Sequence, residues 1–227
     1  MLAIGLSTWI FTLEPIAQDA SYHFFADQRI WLGVPNAWNV ISNLPFVFIG
    51  CLGLRHRVNT GSFVFSMAVV LVGLGSSYYH WDPTTDRLVW DRLPMTIAFM
   101  ALFAMILTDR LQVKIFWLWP LVIAGLASVT YWWWTEQLGR GDLRPYVVVQ
   151  YVPLVLMPFL LMMKGNLKTR WLWGSFLGYA LAKYAEWCDL AIFELVGVSG
   201  HTLKHLVSAM AVAFVARTFK ESRRAIG

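Results

Sequence analysis

The sequence predicts an all-α integral membrane bundle of seven transmembrane helices, and three observations predict it. Hydrophobic residues make up 58% of the 227-residue chain and charged residues only 14%, against roughly 45–50% and about 25% in soluble domains. The mean hydropathy is +0.57. Apolar stretches long enough to cross a bilayer recur seven times, a crossing of the ~30 Å core needing about 20 residues.

The stretches lie at about 36–54, 62–80, 88–108, 115–134, 145–163, 171–193 and 200–217. The third opens on Asp91 and Arg92, the sixth carries Lys183, Glu186 and Asp189, and the seventh carries Lys204; the others are nearly free of charge. Together they define a membrane domain over 36–217. Residues 1–17 are apolar apart from Glu14. They lack the basic start of a signal peptide, are short for a span, and end in Glu14-Pro15. Residues 1–35 are therefore expected to lie in the interface or cap the bundle, the alternative being an eighth span over 1–17. Residues 218–227 form a basic tail.

Lys and Arg counts orient such a bundle, because cytoplasmic loops carry the excess. Eleven fall on one side, from Arg55 and Arg57 through Arg110, Lys114, Lys164, Lys168 and Arg170 to Arg217 and the tail's Lys220, Arg223 and Arg224; five fall on the other, Arg29, Arg87, Arg92, Arg140 and Arg144. This predicts a cytoplasmic C-terminus. The net charge of +5 is spread over short loops, whereas a nucleic-acid surface would gather it on one face. The 13 tryptophans cluster at span ends, where amphipathic rings settle at the interface. Cys51 and Cys188 fall at opposite ends of their spans, too far apart for a disulfide.

The chemistry sits where polar residues interrupt apolar spans, which by default marks function. His201 and His205 stand at i and i+4 and so share a helix face. Ser76 and His80 do the same at the end of the second stretch, and Asp91 opens the third. Chain parity brings all five to similar depth near the outer face. Three neutral imidazoles with one open position form a standard catalytic zinc arrangement. Asp91 suits a general acid/base beside it, and Ser76 a hydrogen-bond donor to an oxyanion or bound water. Lys183, Glu186 and Asp189, three apart, read as a buried charge network; alternatively Glu186 or Asp189 holds a ligand imidazole from behind. Lys204 is expected to point away from the histidines, pairing with that charged face of the sixth stretch or snorkelling. His23 and His56 are expected to be solvated.

At these residues the sequence resembles the alkaline ceramidases and their wider superfamily of seven-helix membrane hydrolases, which includes the adiponectin and progestin receptors and the Per1-type lipid-remodelling proteins. The shared pattern is Ser76-x3-His80, Asp91 and His201-x3-His205 in that order, with Asn39-Val40-Ile41-Ser42-Asn43-Leu44 resembling the ceramidase entry to the first helix. The resemblance implies zinc held by His80, His201 and His205, Asp91 as acid/base and Ser76 as oxyanion partner. It implies cleavage of a ceramide-like N-acyl lipid to fatty acid and sphingoid amine. The acidic cluster with which eukaryotic alkaline ceramidases bind calcium is missing here. Only Asp27 offers a carboxylate, where calcium wants several oxygen ligands, so the sequence argues against a calcium site. Two other readings compete. One is a receptor-type or lipid-remodelling member with a different or vestigial activity. The other is an ion or proton transporter, which would want polar groups at the midplane rather than near one face.

Overall fold

The computed structural model describes the backbone of residues 1–226 and the side chains of residues 1–222. Its helices are α1 (Leu2–Thr12), α2 (Ala37–Ile41), α3 (Leu44–Arg55), α4 (Thr60–Trp81), α5 (Thr85–Leu111), α6 (Leu118–Gln137), α7 (Arg144–Leu161), α8 (Thr169–Trp187), α9 (Asp189–Val196) and α10 (Gly200–Ile226). No strand occurs among the described residues.

Local sequence explains the boundaries. Asn59 and Ser62 form a capping box at the start of α4, satisfying backbone N–H groups that have no partner inside the helix. The Thr84 hydroxyl does the same for Arg87 N at the start of α5, at 3.2 Å. Pro45, near the start of α3, has no N–H to continue α2, so the first span turns at Ser42-Asn43. The Asn39 carbonyl accepts instead from the Ser42 hydroxyl at 3.2 Å and the Asn43 amide at 2.7 Å.

Among the described residues, five helical segments are long and apolar enough to cross a membrane: Ala37–Arg55, Thr60–Trp81, Thr85–Leu111, Ile115–Gln137 and Arg144–Leu161. The seven expected spans are therefore matched by five on length and composition. α8 and α10 do not qualify, since they carry Lys183, Glu186 and Lys204 and basic ends. α1, with 11 residues, is about 16 Å long, too short to cross. It packs on α7, and Arg144 donates to the Leu13 carbonyl at 2.7 Å. The same guanidinium, bonded to Asp142 at 2.8 Å, holds that carboxyl below the usual carboxylate range.

Two boundaries differ from the sequence expectation. The stretch 171–193 is not one helix: α8 stops at Trp187 and α9 begins at Asp189, ending at Gly197 with a left-handed φ of 72°. The tail from 218 is no separate element, because α10 runs through it and buries Thr218 and Phe219. Arg223, Arg224 and Gly227 lie outside the described side chains.

The long helices close into a ring. α3 packs on α4, α4 on α5, α5 on α6 and α7, α7 on α8, α8 on α10, and α10 back on α3. Glycines set the closest approaches. Pro94 lies inside α5 and has no N–H for the Trp90 carbonyl, its normal helical acceptor. Gly75 of α4 stands against that carbonyl, where a Cβ would collide. Gly75→Ala should therefore push α4 off α5 beside Ser76 and Asp91, costing about 1–3 kcal/mol as overpacking does. The unfolding temperature in detergent measures this. Gly5→Ala, at a position with open space around it, is the control, and an equal effect in both would remove the packing explanation.

Candidate metal centre

α4 delivers His80 one residue before its end, and α10 delivers His201 and His205 in its first two turns. The start of α10 is fixed twice. Ser199 Oγ accepts from Thr202 N at 3.0 Å, and Asp189, reaching across from α9, accepts from His201 N at 2.8 Å. The three imidazoles form an equilateral triangle, each pair of ring centroids 4.8 Å apart. All three are buried, and their candidate ligand atoms lie within 4.8 Å of one another.

This arrangement fits a metal ion. His80 Nε2 and His201 Nε2 face each other at 3.3 Å; two nitrogens on one tetrahedral zinc stand about 3.3–3.4 Å apart at Zn–N distances of ~2.0–2.1 Å. Desolvated nitrogens facing one another are unfavourable, and His80 Nδ1 is also buried without a partner. A shared cation resolves the first problem directly. His205 is oriented from behind: its Nδ1 lies 2.8 Å from Ser42 Oγ, whose own proton goes to the Asn39 carbonyl. Nδ1 is then the protonated nitrogen and Nε2 is left bare, the usual division of labour in a metal-bound imidazole. Asn39 Oδ1 in turn accepts from Ser199 and Thr202, at 3.3 and 2.8 Å.

Below the histidines the ring encloses a cavity of about 150 Å³. Its polar end is formed by Asn43, Ser76, Asp91, Lys204 and His205, and the rest is almost wholly apolar, down to Leu161, Leu172 and Val215. Along α4 it extends from Ser76 to Phe65, about 16 Å of helix. Asp91 and Ser76 are both buried and line the same end of the cavity.

The remaining sequence candidates fall as follows. Glu186 bonds no imidazole: it accepts from Lys204 at 2.5 Å through Oε1 and from Lys183 through Oε2. Asp189 does not share their face. Its carboxylate takes the backbone N–H groups of His201 and Ala26, so it holds the peptide of a site residue rather than a ring. Lys204 does not point away, because its Nζ lies 3.5 Å from His201 Nε2 and lines the cavity. Asp27 is buried and bonded to Arg29 through both oxygens, at 2.8 and 2.5 Å. Burial pushes its carboxyl up, but the Arg29 hydrogen bonds outweigh burial and hold it below the usual range. His23 is not simply solvated either, its ring nitrogens meeting Tyr79 Oη at 2.9 Å and Thr85 Oγ1 at 3.1 Å. His56 is half-buried at the far end of α3. Cys51 and Cys188 are free thiols.

Sequence reading missed Phe25. Its ring packs over His80 and His201, with centroids at 4.7 and 4.5 Å, and covers two sides of the histidine triangle. No local pattern marks such a residue. The Ser42 contact had a signal, a polar Asn39–Asn43 run inside an apolar span.

No curated protein matches the chain. The Ceramidase family model matches residues 33–165, well over half the sequence, from α2 through α7 and including Ser76, His80 and Asp91, with His201 and His205 beyond it. On that match the chain belongs to the ceramidase family.

Proposed function

We propose that this protein is a zinc-dependent intramembrane amidase that hydrolyses a ceramide-like N-acyl lipid to a fatty acid and a sphingoid amine. One observation carries the reading: a buried triangle of imidazoles stands at the polar end of an apolar cavity whose wall also holds Asp91 and Ser76. Family membership supports a hydrolase acting on an amide bond. A transporter would gather its charged and polar groups at the midplane, whereas the ionisable groups of this cavity, Asp91, Lys204 and His205, stand at one end and only Ser175, Tyr179 and Ser208 interrupt the apolar remainder.

His80, His201 and His205 would hold the zinc. When bound, such an ion lowers the pKa of a coordinated water to about 7 and polarises a carbonyl oxygen. The protein supplies the remainder. The apolar wall takes the acyl chain, which leaves the amide among Ser76, Asp91 and His205. As a carboxylate Asp91 accepts the proton of the attacking water, and as an acid it returns that proton to the leaving nitrogen. Ser76, beside Asp91 at the polar end of the cavity, would donate to its carboxylate and fix which oxygen faces the water. Phe25 keeps bulk water from the outer side. The test combines metal analysis of the purified protein with a lipid panel read by mass spectrometry. Zinc with release of fatty acid from an N-acyl lipid is expected; ester cleavage alone, or zinc without cleavage, would displace the amidase reading.

We read the membrane arrangement as seven spans, α8 and α10 completing the five apolar ones. α8 has 19 residues, about 28 Å of helix, and its one acidic group faces α10 rather than lipid, Glu186 meeting Lys204. With the C-terminus in the cytoplasm, the histidines lie toward periplasm or lumen. Arg140→Cys and Lys168→Cys, both at exposed positions, test this in a protein whose Cys51 and Cys188 are alanine. A membrane-impermeant thiol reagent on intact cells should label position 140 and not 168. The reverse would turn the protein over.

A further inference from the structure

We propose that Lys204 is a catalytic residue of this site, the group that meets the negative charge developing on the substrate's carbonyl oxygen. The inference rests on the amidase reading above and concerns a side chain that neither spacing nor the family match assigns. Ser76, the residue expected in that role, lines the same end of the cavity but offers only a neutral hydroxyl. Lys204 is placed to fill it. Its Nζ lines the polar end of the cavity with Asp91 and His205, and lies 3.5 Å from His201 Nε2.

An ammonium has three donors. One goes to Glu186 Oε1 at 2.5 Å, and a His201 Nε2 engaged with a metal has no lone pair to accept another. The Glu186 carboxylate is already served on its other oxygen by Lys183. Two lysines on one carboxylate leave a positive charge in surplus, facing the Asp91 carboxylate across the cavity end. A buried ammonium with donors left over, in an apolar cavity where charge is weakly screened, is suited to an oxygen that becomes negative only during reaction.

The step balances without a further reactant. The water oxygen bonds to the carbonyl carbon, its proton passes to Asp91, and the carbonyl electron pair moves onto oxygen within reach of Lys204. On collapse that pair returns, the C–N bond breaks, and the nitrogen takes the proton from Asp91. Lys204 keeps its proton throughout.

The test uses full-length, zinc-loaded protein and the best substrate of the lipid panel. Lys204→Gln should lower kcat about 10²–10³-fold, with KM within a few-fold and zinc content unchanged. Lys204→Arg should recover part of the rate. Lys183→Gln, which removes only the outer partner of Glu186, should cost a few-fold at most. A second readout needs no turnover: wild type should bind oleate more tightly than oleamide, and Lys204→Gln should reduce that preference by about tenfold. Where the Gln variant fails to fold, Lys204→Met gives the same two readouts. Unchanged kcat and unchanged oleate preference would overturn the proposal, as would an equal loss in Lys183→Gln, since the lysines would then act only as a structural pair. Loss of rate with hydrolysis intact in wild type bears on Lys204 alone. If wild type cleaves no amide lipid, the amidase reading fails, and the oleate comparison still decides whether Lys204 receives a carboxylate oxygen.

Discussion

Replacing His80 and His205 together with alanine should reduce the zinc content of the purified protein from about one ion per chain to near zero. The two residues come from α4 and α10, and their ring centroids lie 4.8 Å apart in a buried triangle with His201. His201 alone would remain, and a single imidazole does not hold zinc against a chelator. A metal held by these residues would tie α4 to α10, so chelation should lower the unfolding temperature of the wild type, as removal of any ligand specific to the folded state does. It should leave the double variant unmoved. Elemental analysis and a thermal scan with and without chelator check both parts. Undiminished zinc in the double variant would move the metal elsewhere.

Asp91→Asn separates proton transfer from metal binding. The amide occupies the same volume and can still meet the Ser76 hydroxyl, but it cannot accept a proton and give it back. Zinc should be retained while kcat falls by a factor of about 10² to 10⁴, the usual contribution of a general acid/base. Loss of zinc together with activity would make Asp91 part of the metal's own support. Together with the His80/His205 variant this assigns separate jobs to the two ends of the constellation: one variant loses metal and rate, the other rate alone.

The sequence by itself determined the membrane class, the order of the helices, and the histidine, serine and aspartate positions. Spans are legible because a bilayer demands long apolar runs with internally satisfied backbones. His201 and His205 are legible because four residues return a helix to the same face. Only the tertiary structure decided what these groups meet. α8 was read through Cys188 because the run stays apolar beyond it, yet Asp189 starts a new helix to serve the backbone N–H groups of Ala26 and His201. Lys204 was expected to turn away because a lysine between two ligands sits off their face. It does pair with Glu186 on α8, as that face of the sixth stretch offered, but its four-carbon stem also comes to the rim of His201. Phe25 covers the histidines from a segment more than fifty residues before the first of them. Helical periodicity fixes neighbours within one helix. Contacts between helices depend on how closely the backbones approach, here at Gly75 against the Trp90 carbonyl freed by Pro94, and on where long side chains find a partner once water is excluded.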